Sequence, residues 1–415
     1  MVKTLPRPVV QKNHSEDLLA LKQNHVAKGV HATHPIFIRA AQNSVLQDVD
    51  GKTYIDFTSG IGATNMGHNN PFVVDAIKKQ TEHYLHTCFT ASHYEPYVRV
   101  CEALNKIIPG HHLKKTALFT TGAEAVENAI KISKVHTGRT AVVSFEHGFH
   151  GRTLMTLSLT AKIKPYKQGF GPFAPEVYKL PYPYLYRRPR GMSEEGYVKH
   201  LLQEIERSFF TDVVDPNDVS CVVMELVTGE GGFLVPPISY VQGLQKICKK
   251  HGIVFVADEV QTGFGRTGKL YASEHFGIAP DLITMAKSLS NGMPLSAVTG
   301  KAEIMDSVPE GGLGGTFAGH PVSCAAALAS IDFLQHYKLW ERADHIGNIV
   351  RKRMHAWKER FHHVGDIRGL GAMNAIELVK NRSMKQPHIS LTKKIIDLAR
   401  EHRLLLLKTG IYDNA

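Results

Sequence analysis

The middle of this chain alternates short, wholly apolar runs with stretches of helical period, and that alternation leaves few folds open. The runs are Thr140–Ala141–Val142–Val143–Ser144, Cys221–Val222–Val223–Met224–Glu225, Ile253 to Ala257, and Leu282 to Met285. None of them alternates apolar with polar residues, so each reads as a strand buried on both faces. Between them lie helical stretches such as Glu124 to His136 and Ile238 to His251. Strands that alternate with helices predict an α/β fold, a mostly parallel sheet with helices on both faces. In such sheets ligands gather at the carboxyl ends of the strands. Glu225, Asp258 and Lys287 all follow apolar runs. From about His320 the pattern changes to long helices (Cys324 to Tyr337, Trp340 to Arg360) and then short strands near Leu370 to Leu378.

Lys287 stands 29 residues after Asp258, the acid that ends Val254–Phe255–Val256–Ala257–Asp258–Glu259–Val260–Gln261. Read as one strand, that segment points Asp258 and Val260 to the same face. An acid beside a flat apolar contact suits an aromatic cation. Lys287 closes the run Leu282–Ile283–Thr284–Met285–Ala286. Burial there lowers its pKa and favours the neutral, nucleophilic amine. These are the parts that pyridoxal phosphate chemistry uses. Each alone is weak, since a lone lysine after a strand is usually a solvated strand end and an Asp-Glu pair is usually a turn or cap.

The longer motif carries more. Phe255 to Gly268, which reads Phe-Val-Ala-Asp-Glu-Val-Gln-Thr-Gly-Phe-Gly-Arg-Thr-Gly, is followed by Ala286–Lys287–Ser288–Leu289. It resembles the class III aminotransferases of pyridoxal phosphate fold type I, and more narrowly the 4-aminobutyrate aminotransferases. The likeness runs from about Ile36 to Asn414. It implies a large cofactor-binding domain over 66–310. The N-terminal segment 1–65 joins a smaller α/β domain completed by 311–415, which also holds an interface loop. Further blocks follow in order. Thr120 to Asn128 resembles the phosphate-binding turn, with Gly122 and Ala123 at a helix N-terminus, where free N–H groups favour an anion. The family often has serine where this chain has Ala123. Phe149–His150–Gly151–Arg152 resembles the block that supplies a ring-stacking aromatic and a substrate arginine, so Phe149, His150 and Val260 are expected around the cofactor. Gln261 is expected to hydrogen-bond the cofactor's phenolic oxygen. Gly314 to Pro321 resembles a loop that crosses a dimer interface, with Thr316 reaching the phosphate held by the other subunit. A homodimer, or a dimer of dimers, with shared sites is therefore implied.

The resemblance also names a substrate. Arg152 can grip a carboxylate through two parallel hydrogen bonds. Ile61 matches the apolar residue of 4-aminobutyrate enzymes, where ornithine enzymes tend to carry a hydroxylated aromatic. Glu230 matches an acid that pairs with an arginine while 4-aminobutyrate is bound, and Glu225 is expected behind it. That arginine is expected just after Gly410–Ile411–Tyr412–Asp413–Asn414, but the sequence reads Ala415 there and ends. The small domain is thus expected to be incomplete at its end, and 2-oxoglutarate to be a weak acceptor. The implied reaction moves the amino group of an ω-amino acid, 4-aminobutyrate first, to a 2-oxo acid. Other class III reactions (acetylornithine, ornithine, a polyamine, a β-amino acid) and an inactive homologue serving as a binding protein are the alternatives.

Bulk properties agree with a globular enzyme. Apolar residues make up 43% and charged residues 21% of 415. The net charge of +11 is dispersed, and its densest cluster, Tyr186–Arg187–Arg188–Pro189–Arg190, is short. No nucleic-acid module is expected. The charge suits an electropositive cleft that draws carboxylates and a phosphate. Five scattered cysteines lack metal-ligand spacing and read as reduced thiols in a cytoplasmic setting, so no metal site is expected. Met1 to Pro8 carries no apolar signal core. No run is long enough to span a bilayer.

Overall fold

In the computed structural model, which describes residues 15–415, the apolar runs are strands, and their residues divide between two cores. Val219, Val222 and Met224 pack on one side of the sheet, and Cys221 and Val223 on the other. Phe255 and Ala257 likewise oppose Val254 and Val256. One side is covered by the helices Ile238–His251 and Pro321–His336, the other by Gly122–Thr137. This is why the runs show no polar alternation: both faces are dry. The reading of Met1 to Pro8 lies outside the described residues.

The strands are β1 (Ile38–Gln42), β2 (Val45–Asp48), β3 (Thr53–Asp56), β4 (Lys114–Phe119), β5 (Ala141–Phe145), β6 (Val177–Leu180), β7 (Val219–Met224), β8 (Val254–Asp258), β9 (Leu282–Met285), β10 (Ser296–Lys301), β11 (Val364–Leu370), β12 (Met373–Leu378) and β13 (Leu404–Leu405). The large sheet runs β4-β10-β9-β8-β7-β5-β6. Its pairs from β9 to β6 are parallel, and β10 is antiparallel to both of its neighbours. β1, β2, β3 and β13 form a second sheet, in which β3 and β13 bring the two ends of the chain together in parallel. β11 and β12 form a hairpin.

The parallel strands put their carboxyl ends along one edge. Asp258 closes β8 opposite Thr284 of β9, and Lys287 lies two residues past the end of β9. The expected strand through Val260 is too long. β8 stops at Asp258, because the Asp258 carboxylate captures the Val260 amide (3.1 Å) and turns the chain. No described helix is long and apolar enough to cross a membrane.

Candidate active site

Lys287 is the centre of the site by position and by electrostatics. It sits at φ +47°, which a lysine rarely adopts, directly after the buried β9. The residue is half-buried, and among the described residues its amine makes no hydrogen bond or ion pair. Burial lowers its pKa, against the opposing pull of the Glu225, Asp258 and Glu230 carboxylates, while Arg266 adds to the lowering. A half-buried, unpaired amine of reduced basicity is a nucleophile waiting for an electrophile.

Asp258 is held on three sides. Its Oδ1 accepts from the Val260 amide and from the Thr284 hydroxyl, both at 3.1 Å. His150 Nδ1 meets its Oδ2 at 2.7 Å. Burial works against a charge on His150, yet the bond to Asp258 and its charge raise the imidazole's pKa overall. His150 thus stands directly against Asp258. Behind them Glu225 accepts from the Phe149 amide (3.0 Å) and the Gly229 amide (3.1 Å). Desolvation pushes its pKa up to about 7.

Gly122 and Ala123 open the helix Gly122–Thr137. A capping box closes its other amides: Glu124 accepts from Thr120 and Thr121, and Thr121 caps Glu124. The Gly122 and Ala123 amides are left free, which suits an anion. A Cβ on Gly122 would come within 3.0 Å of Val260, so glycine is what keeps that gap open.

Arg152, Phe149 and Glu230 meet through a residue that the sequence reading missed. Tyr166 lies under the Arg152 guanidinium (4.7 Å to the ring centre), touches Phe149 edge-on (5.2 Å) and donates its hydroxyl to Glu230 Oε2 at 3.0 Å. Burial, then Glu230, pushes its pKa up to about 12. Tyr166 lies in a single π-turn, Ile163–Lys167, too short to show a sequence period, so nothing local marks it. Gln261 Nε2 reaches the Ile61 carbonyl at 3.4 Å. A Cβ on Gly229 would fall 2.0 Å from Gln261 Oε1, so the glycine makes room for that side chain. Thr316 is the exception: it is exposed on the Gly314 to Gly319 turn, beside an exposed Phe317, and touches none of the other candidates. Thr284, Ser288 and Arg266 were quoted in the motifs without a role, and each bonds to the site or to the turn that borders it.

These features fit pyridoxal phosphate: an unpaired half-buried amine, a buried carboxyl group, two free helix-end amides and a cradle kept open by glycine. The sequence profile of the family described as Aminotransferase class-III matches residues 25–413. The chain is 49% identical to a probable 4-aminobutyrate aminotransferase of Bacillus subtilis, over 95% of this chain and 90% of that protein. It is 43% identical to the 5-aminovalerate aminotransferase DavT of Pseudomonas putida, over 96% of this chain and 92% of that protein. Among solved structures, an (S)-enantioselective ω-transaminase from Thermomicrobium roseum superposes with a TM-score of 0.89 at 29% identity, covering 96% of this chain and 92% of that one.

Proposed function

Because this chain belongs to the class-III aminotransferase family, we propose that it passes the amino group of 4-aminobutyrate to a 2-oxo acid such as 2-oxoglutarate, releasing the semialdehyde and the new amino acid. The observation that carries this reading is the half-buried, unpaired Lys287 amine of lowered pKa, on which the Glu225, Asp258 and Glu230 carboxylates act; Arg152, braced by Tyr166, supplies a carboxylate-binding guanidinium. The relatives named for 4-aminobutyrate and 5-aminovalerate support the substrate class. The enzyme depends on pyridoxal phosphate, which when bound serves as the electron sink that labilises the substrate's C–H bond.

Each residue then has a task. Lys287 would hold the cofactor through its amine, and that amine is the group placed to take up and return a proton. Asp258, fixed by His150 and Thr284, would face the ring nitrogen and favour its protonated form. Gly122 and Ala123 would donate amides to the phosphate, and Thr316 of the partner subunit would add a hydroxyl. Phe149 and Val260 would bound the ring, and Gln261 would donate to the phenolic oxygen. Arg152 seats the distal carboxylate, Ile61 lines the mouth, and Glu230 meets the second carboxylate region through its link to Tyr166. Glu225 positions Phe149 and the Gly229 turn.

The exposed Thr316–Phe317 turn supports a homodimer, with 66–310 as the large domain and the two chain ends as the small one. All five cysteines are free, which agrees with a reducing, cytoplasmic compartment. The test is direct: purified, cofactor-loaded protein given 4-aminobutyrate and 2-oxoglutarate should form glutamate and semialdehyde in equal amounts. Turnover of ornithine or acetylornithine with none of 4-aminobutyrate would reassign the donor.

A further inference from the structure

Ser59, Gly60, Ile61 and Gly62 have φ of +50°, +60°, +60° and +76°, four consecutive residues in the left-handed region. At Gly60 and Ile61, ψ is 35° and 45°, so this is one turn of left-handed helix. Glycine takes that shape freely, but serine does not, and a β-branched isoleucine there is an outlier. Such a turn persists only where its surroundings over-determine it.

Three ties surround it. Arg266 Nη2 donates to Ser59 Oγ at 3.0 Å and to Asn65 Oδ1, so one nitrogen bridges both ends of the turn. Asn65 is itself anchored to the Phe264 carbonyl at 2.9 Å. Gln261 reaches the Ile61 carbonyl, and the Ser288 hydroxyl donates to the Gly62 carbonyl at 2.9 Å. Ser288 follows Lys287, which is also left-handed. Arg266 is an expensive residue to place here. Among the described residues it has no ion pair, its Nε is buried without a partner, and burial pushes its pKa down to about 10. Asp56, the acid that acts on it, is engaged by Thr58 and His68. A half-buried guanidinium with no ion pair and a buried, unpartnered Nε costs folding energy, and its two bonds to the turn are what offset that cost.

We propose that Arg266 is a positioning residue for the reaction: it clamps the left-handed turn Ser59–Gly62 against the segment that carries Lys287 and so fixes the substrate mouth at Ile61. The kinetic part of this inference rests on the donor assigned above, and the structural part does not.

Arg266→Met tests it by two readouts. In the cofactor-free protein, hydrogen exchange of the amides of 59–65 should rise about tenfold or more while those of β8 and β9 stay at the parent rate. With 4-aminobutyrate, KM should rise about tenfold with kcat within about threefold, since the mouth binds donor without moving the proton. Arg266→Lys keeps a nitrogen that can bridge the same two acceptors and should restore part of both effects. Adding Ser59→Gly to Arg266→Met removes one left-handed strain and should slow exchange at 60–65 again. Where Arg266→Met does not fold, Ser59→Ala removes one acceptor and should give a smaller change in the same amides. Parent-rate exchange at 59–65, or faster exchange spread over the whole domain, overturns the proposal. Inactivity of the parent with 4-aminobutyrate would instead strike the assigned donor and leave the exchange result to decide the clamp.

Discussion

His150 Nδ1 lies 2.7 Å from Asp258 Oδ2, and the two side chains are only 1% and 4% exposed. At such burial a carboxylate survives as an anion only if it is paired and hydrogen-bonded. The bond to Asp258 raises the pKa of His150 against the opposing effect of burial, and the Val260 amide and Thr284 hydroxyl fill the other oxygen. These three bonds fix the Asp258 carboxyl group at the carboxyl end of β8.

Asp258→Asn should keep the fold, because the carboxamide oxygen can still accept from Val260 and Thr284. It should lower kcat about 100-fold or more, since no anion remains to hold a ring proton. His150→Leu should instead cost about 3–5 kcal/mol of stability, by stranding a buried charge. Steady-state kinetics and thermal melts on both variants check this; equal activity of Asp258→Asn and the parent would show that the acid is structural.

Glu225 gives a pH signature. Its folded pKa of about 7 exceeds the ordinary value of 4.5, because burial disfavours the charged form. Stability from the protonated acid is therefore complete below about pH 4.5 and is lost as pH rises through about 7. Glu225→Gln removes that loss, at a fixed cost from one unmet backbone amide. The difference in Tm, variant minus parent, should rise between pH 5 and pH 8 by the equivalent of roughly 3 kcal/mol at most. A difference that stays flat across that range contradicts the buried-acid account.

Tyr166 offers a ring to Arg152 and Phe149 and a hydroxyl to Glu230. Tyr166→Phe keeps the ring and should change kcat/KM for 4-aminobutyrate by only about 3–10-fold, about one hydrogen bond. Tyr166→Ala loses the support of the guanidinium and should cost about ten times more. Equal effects of the two variants would mean that the ring does no positioning.

Donor length is the softest discrimination in such a site. One methylene in an apolar pocket is worth about 1–3 kcal/mol, or about 10–200-fold in kcat/KM. 5-Aminovalerate should therefore be turned over within that range of 4-aminobutyrate. Complete inactivity with the longer donor would demand a steric block beyond Ile61.

Much of this was legible in the sequence because the apolar strands are local signals. The run Leu282–Met285 coincides with β9, and Ile238–His251 was read to the residue as a helix. Lys287, Asp258 and Glu225 could be named because each ends or follows such a run, and Gln261 through the family motif. What could not be read comes from long-range contact. Tyr166 reaches Arg152 and Glu230 from an aperiodic segment, and Val260 leaves the strand because a side chain intercepts its amide. The left-handed turn at Ser59–Gly62 runs against the preferences of Ser59 and Ile61, and its cause, Arg266, is 207 residues from Ser59. β13 is two residues long and pairs only because β3 is already in place.

The central claim is that Lys287 is the one residue to which the cofactor attaches. Borohydride reduction of the pyridoxal phosphate-loaded protein, followed by peptide mass spectrometry, measures it directly. The account predicts loss of the visible absorbance band and a stoichiometric cofactor adduct on Lys287, with neither in Lys287→Ala. A stoichiometric adduct on any other lysine, or an unchanged band in Lys287→Ala, would contradict it.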